Sequence, residues 1–168
     1  MRSLLLGLAA LLLPAVADAE PSLWSFEARL GGGLAMGGGG GAAAFRLAPF
    51  TLGARGEYTF HEHPTAGLWI GALVEGVDRI GVGAEAGVAV RPSNGGTRLS
   101  AGVITFLFPY TLVGGSASGG YCYGVGAHNH TYLCMDAVLN FFFLGSDLPT
   151  DRVAAQLLLV GALRFDAL

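Results

Sequence analysis

The chain has 168 residues, of which 52% are hydrophobic and only 12% are charged, and 28 are glycine. Soluble domains usually carry about 25% charged residues, so this composition is a poor match to a fully solvated surface. The formal net charge of −3 disfavours nucleic-acid binding, because neutralising phosphates requires a basic face.

The N-terminus has the three parts of a secretory signal peptide. Residues 1–3 are a short basic region, residues 4–16 are an apolar stretch too short to span a membrane, and Ala17-Asp18-Ala19 is a cleavage pattern. We therefore predict a signal peptide over residues 1–19 and one domain over residues 20–168. An uncleaved interfacial helix is the alternative.

The remaining chain alternates between apolar and polar residues, as expected of strands with two different faces. Residues 80–91 show this most clearly, with Ile80, Val82 and Ala84 on one face and Gly81, Gly83 and Glu85 on the other. The same pattern predicts eight strands. They cover about residues 21–34, 44–60, 66–77, 80–91, 97–110, 114–125, 131–144 and 152–165.

Glycine and proline mark the predicted connections and irregularities. The glycine run 37–41 is predicted to be a turn, and Pro49 to be an interruption or bulge. In the fifth strand the facing is ambiguous, because Ile104 and Phe106 compete with Val103 and Leu107 for the apolar face.

Eight strands that alternate in this way fit a barrel that crosses a lipid bilayer. A tilted strand needs about 9–11 residues to cross, and an even number of strands places both chain ends on one side. In hydrocarbon a closed barrel is required to pair every backbone polar group. We predict an all-β fold, an eight-stranded antiparallel up-and-down transmembrane β-barrel.

The polar faces of the strands predict a lumen filled with paired charges. An eight-stranded barrel is only wide enough inside for side chains, and buried charges need partners. The inward candidates are acidic and basic in equal number: Glu27, Arg29, Arg55, Glu57, Glu85, Arg91, Asp136 and Arg164. Aromatic residues near strand ends, Trp69 among them, are predicted to form the interface belts of a membrane barrel.

The overall pattern of signal peptide, alternating strands and charged lumen resembles the small outer-membrane β-barrel proteins of Gram-negative bacteria, such as the OmpA transmembrane domain and OmpX. The resemblance covers the mature chain as an architecture, without a specific sequence motif. Such barrels commonly end in an aromatic residue, whereas here Asp166-Ala167-Leu168 follow Phe165.

The resemblance implies residence in the outer membrane, contact with its lipid and lipopolysaccharide, and recognition by the outer-membrane insertion machinery. We also expect a monomer. Because the family includes membrane-integrity proteins, adhesins and lipid-modifying enzymes, the fold does not select a function.

Cys122 and Cys134 are the only cysteines, and alternation turns both of them inward. Cross-strand positions can meet the Cα spacing of a disulfide, and an exported protein meets oxidising conditions. We predict a structural disulfide worth about 3 kcal/mol, with two free thiols as the alternative.

The histidines and serines give weaker signals. His61 and His63 lie in one predicted turn, and His128 and His130 in another at the same barrel end, so a zinc site is conceivable, but we interpret them as polar turn residues. There is no Gly-x-Ser-x-Gly elbow, and the run 37–41 lacks the Lys-Ser/Thr of a phosphate loop.

We therefore predict no catalytic, cofactor or metal site. The expected function is that of a non-enzymatic outer-membrane barrel with a structural or surface-interaction role. A lipid-modifying enzyme on the same fold and a soluble secreted β-barrel that binds an apolar ligand are the alternatives.

Overall fold

A computed structural model describes residues 23–39, 42–76, 80–92, 96–109, 111–125, 130–146 and 153–167. The predicted signal peptide lies outside these ranges. In the described residues no helix is long and apolar enough to cross a membrane.

All the regular structure is β-strand, and the strands close on themselves. Neighbours in the chain pair antiparallel, and β1 pairs with β8 to complete the ring. This closed barrel confirms the predicted all-β, eight-stranded antiparallel architecture. The strands are β1 (Trp24–Gly39), β2 (Ala42–Thr59), β3 (Ala66–Gly76), β4 (Ile80–Val90), β5 (Thr97–Phe108), β6 (Leu112–Gly124), β7 (Thr131–Gly145) and β8 (Val153–Asp166).

The glycine run was wrongly predicted to be a turn from its first residue. Gly37 to Gly39 continue β1 and pair with residues 42–44 of β2, and residues 40–41 lie outside the described ranges. Glycine permits the dihedral angles of a turn but does not impose them, and the ladder with β2 supplies backbone hydrogen bonds to these residues.

Three bulges interrupt the pairing. The register between β1 and β2 shifts between Gly31 and Gly33, so that β2 has one extra residue at Pro49 or Phe50, and the predicted bulge is confirmed. Proline has no N–H to donate, which favours a break in the ladder at this point. The register of β7 against β6 shifts in the same way at Phe143.

The third bulge resolves the ambiguous facing of β5. Leu107 has no partner in the register with β4, so Leu107 and Phe108 both face outward. Before the bulge the alternation is regular, with Ile104 and Phe106 buried and Val103 exposed. The sequence did not reveal this facing, because the second half of β5 carries apolar residues on both its inward and its outward face.

The outer wall of the barrel is apolar. Among strand residues whose side chains the structure describes, every Asp, Glu and Arg is buried or at the mouth of the lumen, and none faces outward. The most exposed outward side chains are Ile70, Ile80, Val103, Leu107, Phe108 and Leu144.

Candidate functional site: the barrel lumen

The lumen has two ends that differ in chemistry. The terminal end is the one at which β1 begins and β8 ends, and it also carries the turn between β2 and β3. The distal end is opposite. All eight predicted lumen residues lie inside, and seven are buried while Arg91, just past the end of β4, is partly exposed. Together with Arg98 and Asp166, these residues form three groups of ion pairs.

Arg98 organises the first group. Its Nε donates to Oδ1 of Asp136 at 2.9 Å, and its two terminal nitrogens donate to the second oxygen of Asp136 and to Glu27. The fork geometry of guanidinium suits this double contact with one carboxylate. Arg98 thereby joins β5 to β7 and to β1 across the lumen.

Glu85 organises the second group. Its Oε1 accepts from Nη1 of Arg29 at 2.6 Å and from Nη2 of Arg55 at 3.2 Å. One carboxylate therefore lies between two guanidinium groups. The Arg55 guanidinium also stacks over the Trp69 ring, 3.8 Å from its centroid, which favours a buried cation.

The third group lies at the mouth of the terminal end. Nη2 of Arg91 is 2.5 Å from Oε1 of Glu57, whose other oxygen is 3.9 Å from Nη1 of Arg164. Arg164 also donates from Nε to Oδ1 of Asp166 at 2.8 Å and lies 5.9 Å from the centre of the Tyr132 ring. Burial, together with the positive charge of Arg164, lowers the pKa of Arg91.

Sequence reasoning missed Arg98 and Glu75. Glu75 Oε1 accepts from Gln156 at 2.7 Å, and Gln156 accepts from Asn140 at 3.2 Å. Glu75 follows the inward Leu73 of β3 by two residues, so it faces inward too. Applying the alternation to β3 would have identified it. Arg98 was hidden by the mixed pattern of β5. Glu75 and Arg98 add one acid and one base, and with Asp166 at the mouth the described lumen groups contain six acidic and five basic residues.

Toward the distal end the lumen becomes apolar, which sequence analysis did not anticipate. Leu73, Ile104, Phe106 and Phe142 form one buried cluster, with the two phenyl rings 5.8 Å apart, and we call this cluster the apolar plug. A second buried cluster lies beside it: Ala35, Val138, Leu158 and Val160.

Little space remains between the charged and apolar parts. A cavity of about 30 Å³ is lined by Arg29, Glu75, Glu85 and Asn140 on one side and by apolar residues such as Ile104 on the other. A volume of this size has room for about one or two water molecules. In the described part of the chain the lumen is filled.

Trp69 does not belong to an interface belt, and that expectation is wrong. Its side chain is 3% exposed and points into the lumen. The indole lies against Gly87 and Gly102, which face each other on β4 and β5, and a Cβ on either glycine would be within 3 Å of the ring. The two glycines provide the space that the ring fills.

Other aromatic residues do ring the outside. At the terminal end Trp24 contacts Tyr58, with ring centroids 4.9 Å apart, and Tyr58 contacts Phe60 at 6.2 Å. At the distal end Phe108 and Phe143 are exposed beside the bulges of their strands. Two aromatic zones therefore border the apolar wall, as in membrane barrels.

Cys122 and Cys134 are joined by a disulfide between directly opposed positions of β6 and β7. Their Cα atoms are 4.0 Å apart, and the two cysteines are 12 positions apart in the sequence. Cys134 is fully buried and Cys122 is half-buried. The bond therefore lies on the lumen side of the wall.

The described members of the remaining candidates are not assembled into a site. His61 and His63 are exposed in the turn after β2, and His128 lies outside the described residues. Ser118, in the lumen, shares a hydrogen bond of 2.7 Å with the hydroxyl of Ser100. Within the described ranges no three His, Cys, Asp or Glu side chains are placed to hold a metal ion.

No protein-family model and no curated protein matches the sequence. Among solved structures, the crystal structure of Neisserial surface protein A superposes with a TM-score of 0.60 at 10% sequence identity, covering 87% of this chain and 98% of that chain. The likeness concerns the fold. The chain thus has the closed eight-stranded architecture of the small outer-membrane β-barrel proteins.

Proposed function

We propose that this chain is a non-enzymatic protein of the Gram-negative outer membrane, which spans the bilayer as a filled barrel. In this role it contacts lipid and lipopolysaccharide through its outer wall, is inserted by the outer-membrane assembly machinery and works as a monomer. Its contribution is structural or depends on the rim that it presents at the membrane surface.

This proposal rests on the distribution of polar residues, which is the reverse of that in a soluble protein. Ion pairs occupy the interior, while the outward strand side chains that the structure describes are uncharged. Water would favour the opposite arrangement, because exposing such a continuous apolar wall is costly and promotes aggregation. A bilayer removes that cost, and the closed ladder satisfies the backbone without water.

The filled lumen argues against the soluble alternative. A secreted barrel that carries an apolar ligand needs an apolar chamber, and pockets for such ligands usually measure about 300–1,000 Å³. The cavity here is about 30 Å³ and is bordered by two carboxylates and a guanidinium group.

Cell fractionation tests the proposal directly. The full-length chain, expressed in a Gram-negative host, should be recovered with the outer-membrane fraction, resist extraction at alkaline pH and require detergent for solubility. In unheated dodecyl sulfate gels the closed barrel should migrate differently from the boiled chain. Recovery in the soluble periplasm without detergent would contradict residence in lipid.

A further inference from the structure

The position of the disulfide bears on the order of events during assembly. Cys122 and Cys134 point into the lumen, because their chain neighbours Tyr123 and Leu133 face outward. Cys134 has no exposed surface. The sulfur atoms are thus separated from the surroundings of the barrel by its own wall.

Protein groups also lie next to the bond inside the lumen, where Cys134 is fully buried and Cys122 is half-buried. Asp136, the next inward residue of β7, is fully buried and bound by Arg98. Ala162 of β8, also buried, is the register partner of Cys134. At the terminal end the carbonyl of Gly96 accepts a hydrogen bond of 2.7 Å from the amide of Cys122.

Disulfide formation requires more room than this arrangement leaves. A thiolate of the pair first attacks a disulfide of the oxidant and displaces one of its sulfurs, so that the oxidant is covalently attached. The second cysteine then attacks the first cysteine's sulfur and releases the oxidant as a dithiol, which has gained two electrons and two protons. The attached oxidant has no place in an eight-stranded lumen.

We propose that Cys122 and Cys134 are oxidised before the barrel closes, by a disulfide-bearing thiol oxidant of the compartment to which the chain is exported. The hairpin of β6 and β7 then enters the barrel already cross-linked. The order of these events rests on the fold alone, whereas the compartment of the oxidant rests on the proposed export.

The composition of β6 indicates how early oxidation would help the strands to pair correctly. Gly114, Gly115, Gly119 and Gly120 leave the strand with few side chains to define its pairing, and the register with β7 already shifts once, near Gly114. Glycine-rich strands are prone to slip by a residue or more. A cross-link between opposed residues fixes the register of the hairpin before its other neighbours are in place.

Reduction and oxidation rates in the folded and unfolded chain test the proposal. The mature protein, purified with its disulfide and folded in detergent micelles, is treated with dithiothreitol, and free thiols are counted by maleimide labelling and mass spectrometry. We expect reduction roughly tenfold or more slower than in the same chain held in urea. Equal rates in the two states would overturn the proposal.

The rate at which the disulfide forms is the second measurement. The chain is reduced in urea, folded in micelles with reductant present, and then given oxidised glutathione. We expect the folded dithiol to oxidise far more slowly than the unfolded one. A reduced chain that does not fold at all also supports oxidation before closure, whereas rapid oxidation of the folded barrel contradicts it.

A surface thiol controls for shielding by the micelle. In a chain with Cys122→Ser and Cys134→Ser, the substitution Glu62→Cys places one thiol in the exposed turn after β2. Its reaction with oxidised glutathione should differ little between folded and unfolded chain. A large difference there would assign the slow reaction to the detergent instead of the lumen, and the proposal would fail.

Discussion

At the scale of single residues, Arg98 is the lumen cation whose guanidinium pairs with two fully buried carboxylates. It is the one residue that the structure places against both Asp136 and Glu27, whose carboxylates are buried with it. Removing one member of such a group leaves the others charged and unpaired in a poorly solvated interior, which costs more than the pair itself contributes.

Arg98→Met should therefore lower the free energy of unfolding by about 3–5 kcal/mol. Urea titration of the barrel in lipid vesicles measures the change. Arg91→Met is the matched control: the Arg91 side chain is 24% exposed, so water reaches the site and a loss of about 1 kcal/mol or less is expected. Adding Glu27→Gln and Asp136→Asn to Arg98→Met should restore part of the lost stability, because no unpaired carboxylate then remains. Equal losses for Arg98→Met and Arg91→Met would contradict the argument.

The glycine pair beneath Trp69 gives a second prediction at this scale. In Gly102→Ala the new Cβ would lie 2.2 Å from the carbonyl oxygen of Ala86 and 2.8 Å from the indole, so the backbone must shift. We expect a loss of about 1–3 kcal/mol in the same urea titration. Gly115→Ala, where the nearest atom is 3.9 Å away, should change stability by less than about 0.5 kcal/mol.

At the scale of elements, alternation predicted eight strands and the facing of most of them, because the period of two is imposed by backbone geometry and by different surroundings on the two faces. It did not resolve the facing of side chains at the distal ends. There the extra residues at Leu107 and Phe143 place consecutive apolar side chains on one face, and the apolar plug removes the contrast between inside and outside.

The charged lumen residues were found by the same alternation, apart from Arg98 and Glu75. Which carboxylate meets which guanidinium was not predictable, because those contacts cross the lumen. Arg98 and Glu27 are 71 residues apart in the chain, and their meeting depends on the stagger of the closed sheet, which no single strand encodes.

The outward face of β4 supplies a prediction for one element. Ala86 lies near the middle of β4 between the outward residues Ile70 and Val103, and Ala86→Arg should destabilise the barrel in vesicles by about 2–4 kcal/mol if lipid covers this position near the bilayer centre. Val90→Arg, at the end of the same strand near the interface, should cost about 1 kcal/mol or less. Equal tolerance of both arginines, with normal folding, would show that lipid does not contact this wall.

At the scale of the whole molecule, the lumen is closed in two different ways along its length. Paired charges fill the terminal end, and packed phenyl and aliphatic groups fill the distal end. An ion that crossed the barrel would have to break the first arrangement and then enter the second without partners, which is strongly unfavourable.

We therefore expect the purified protein to give no discrete conductance steps in planar bilayers at moderate voltage. A general porin added to the same bilayer verifies that the recording detects open pores. Reproducible steps from the protein alone, retained after repeated purification, would refute the filled lumen that the structure describes.

The bonds across the lumen also have a mechanical consequence. Arg29 on β1 reaches Glu85 on β4, and Gln156 on β8 reaches Glu75 on β3, so strands three positions apart in the ring are joined across the lumen. In the bilayer proposed for this protein, lateral pressure would act to flatten a hollow ring of hydrogen-bonded strands. Here flattening must compress or stretch these transverse bonds, so the barrel keeps a round cross-section.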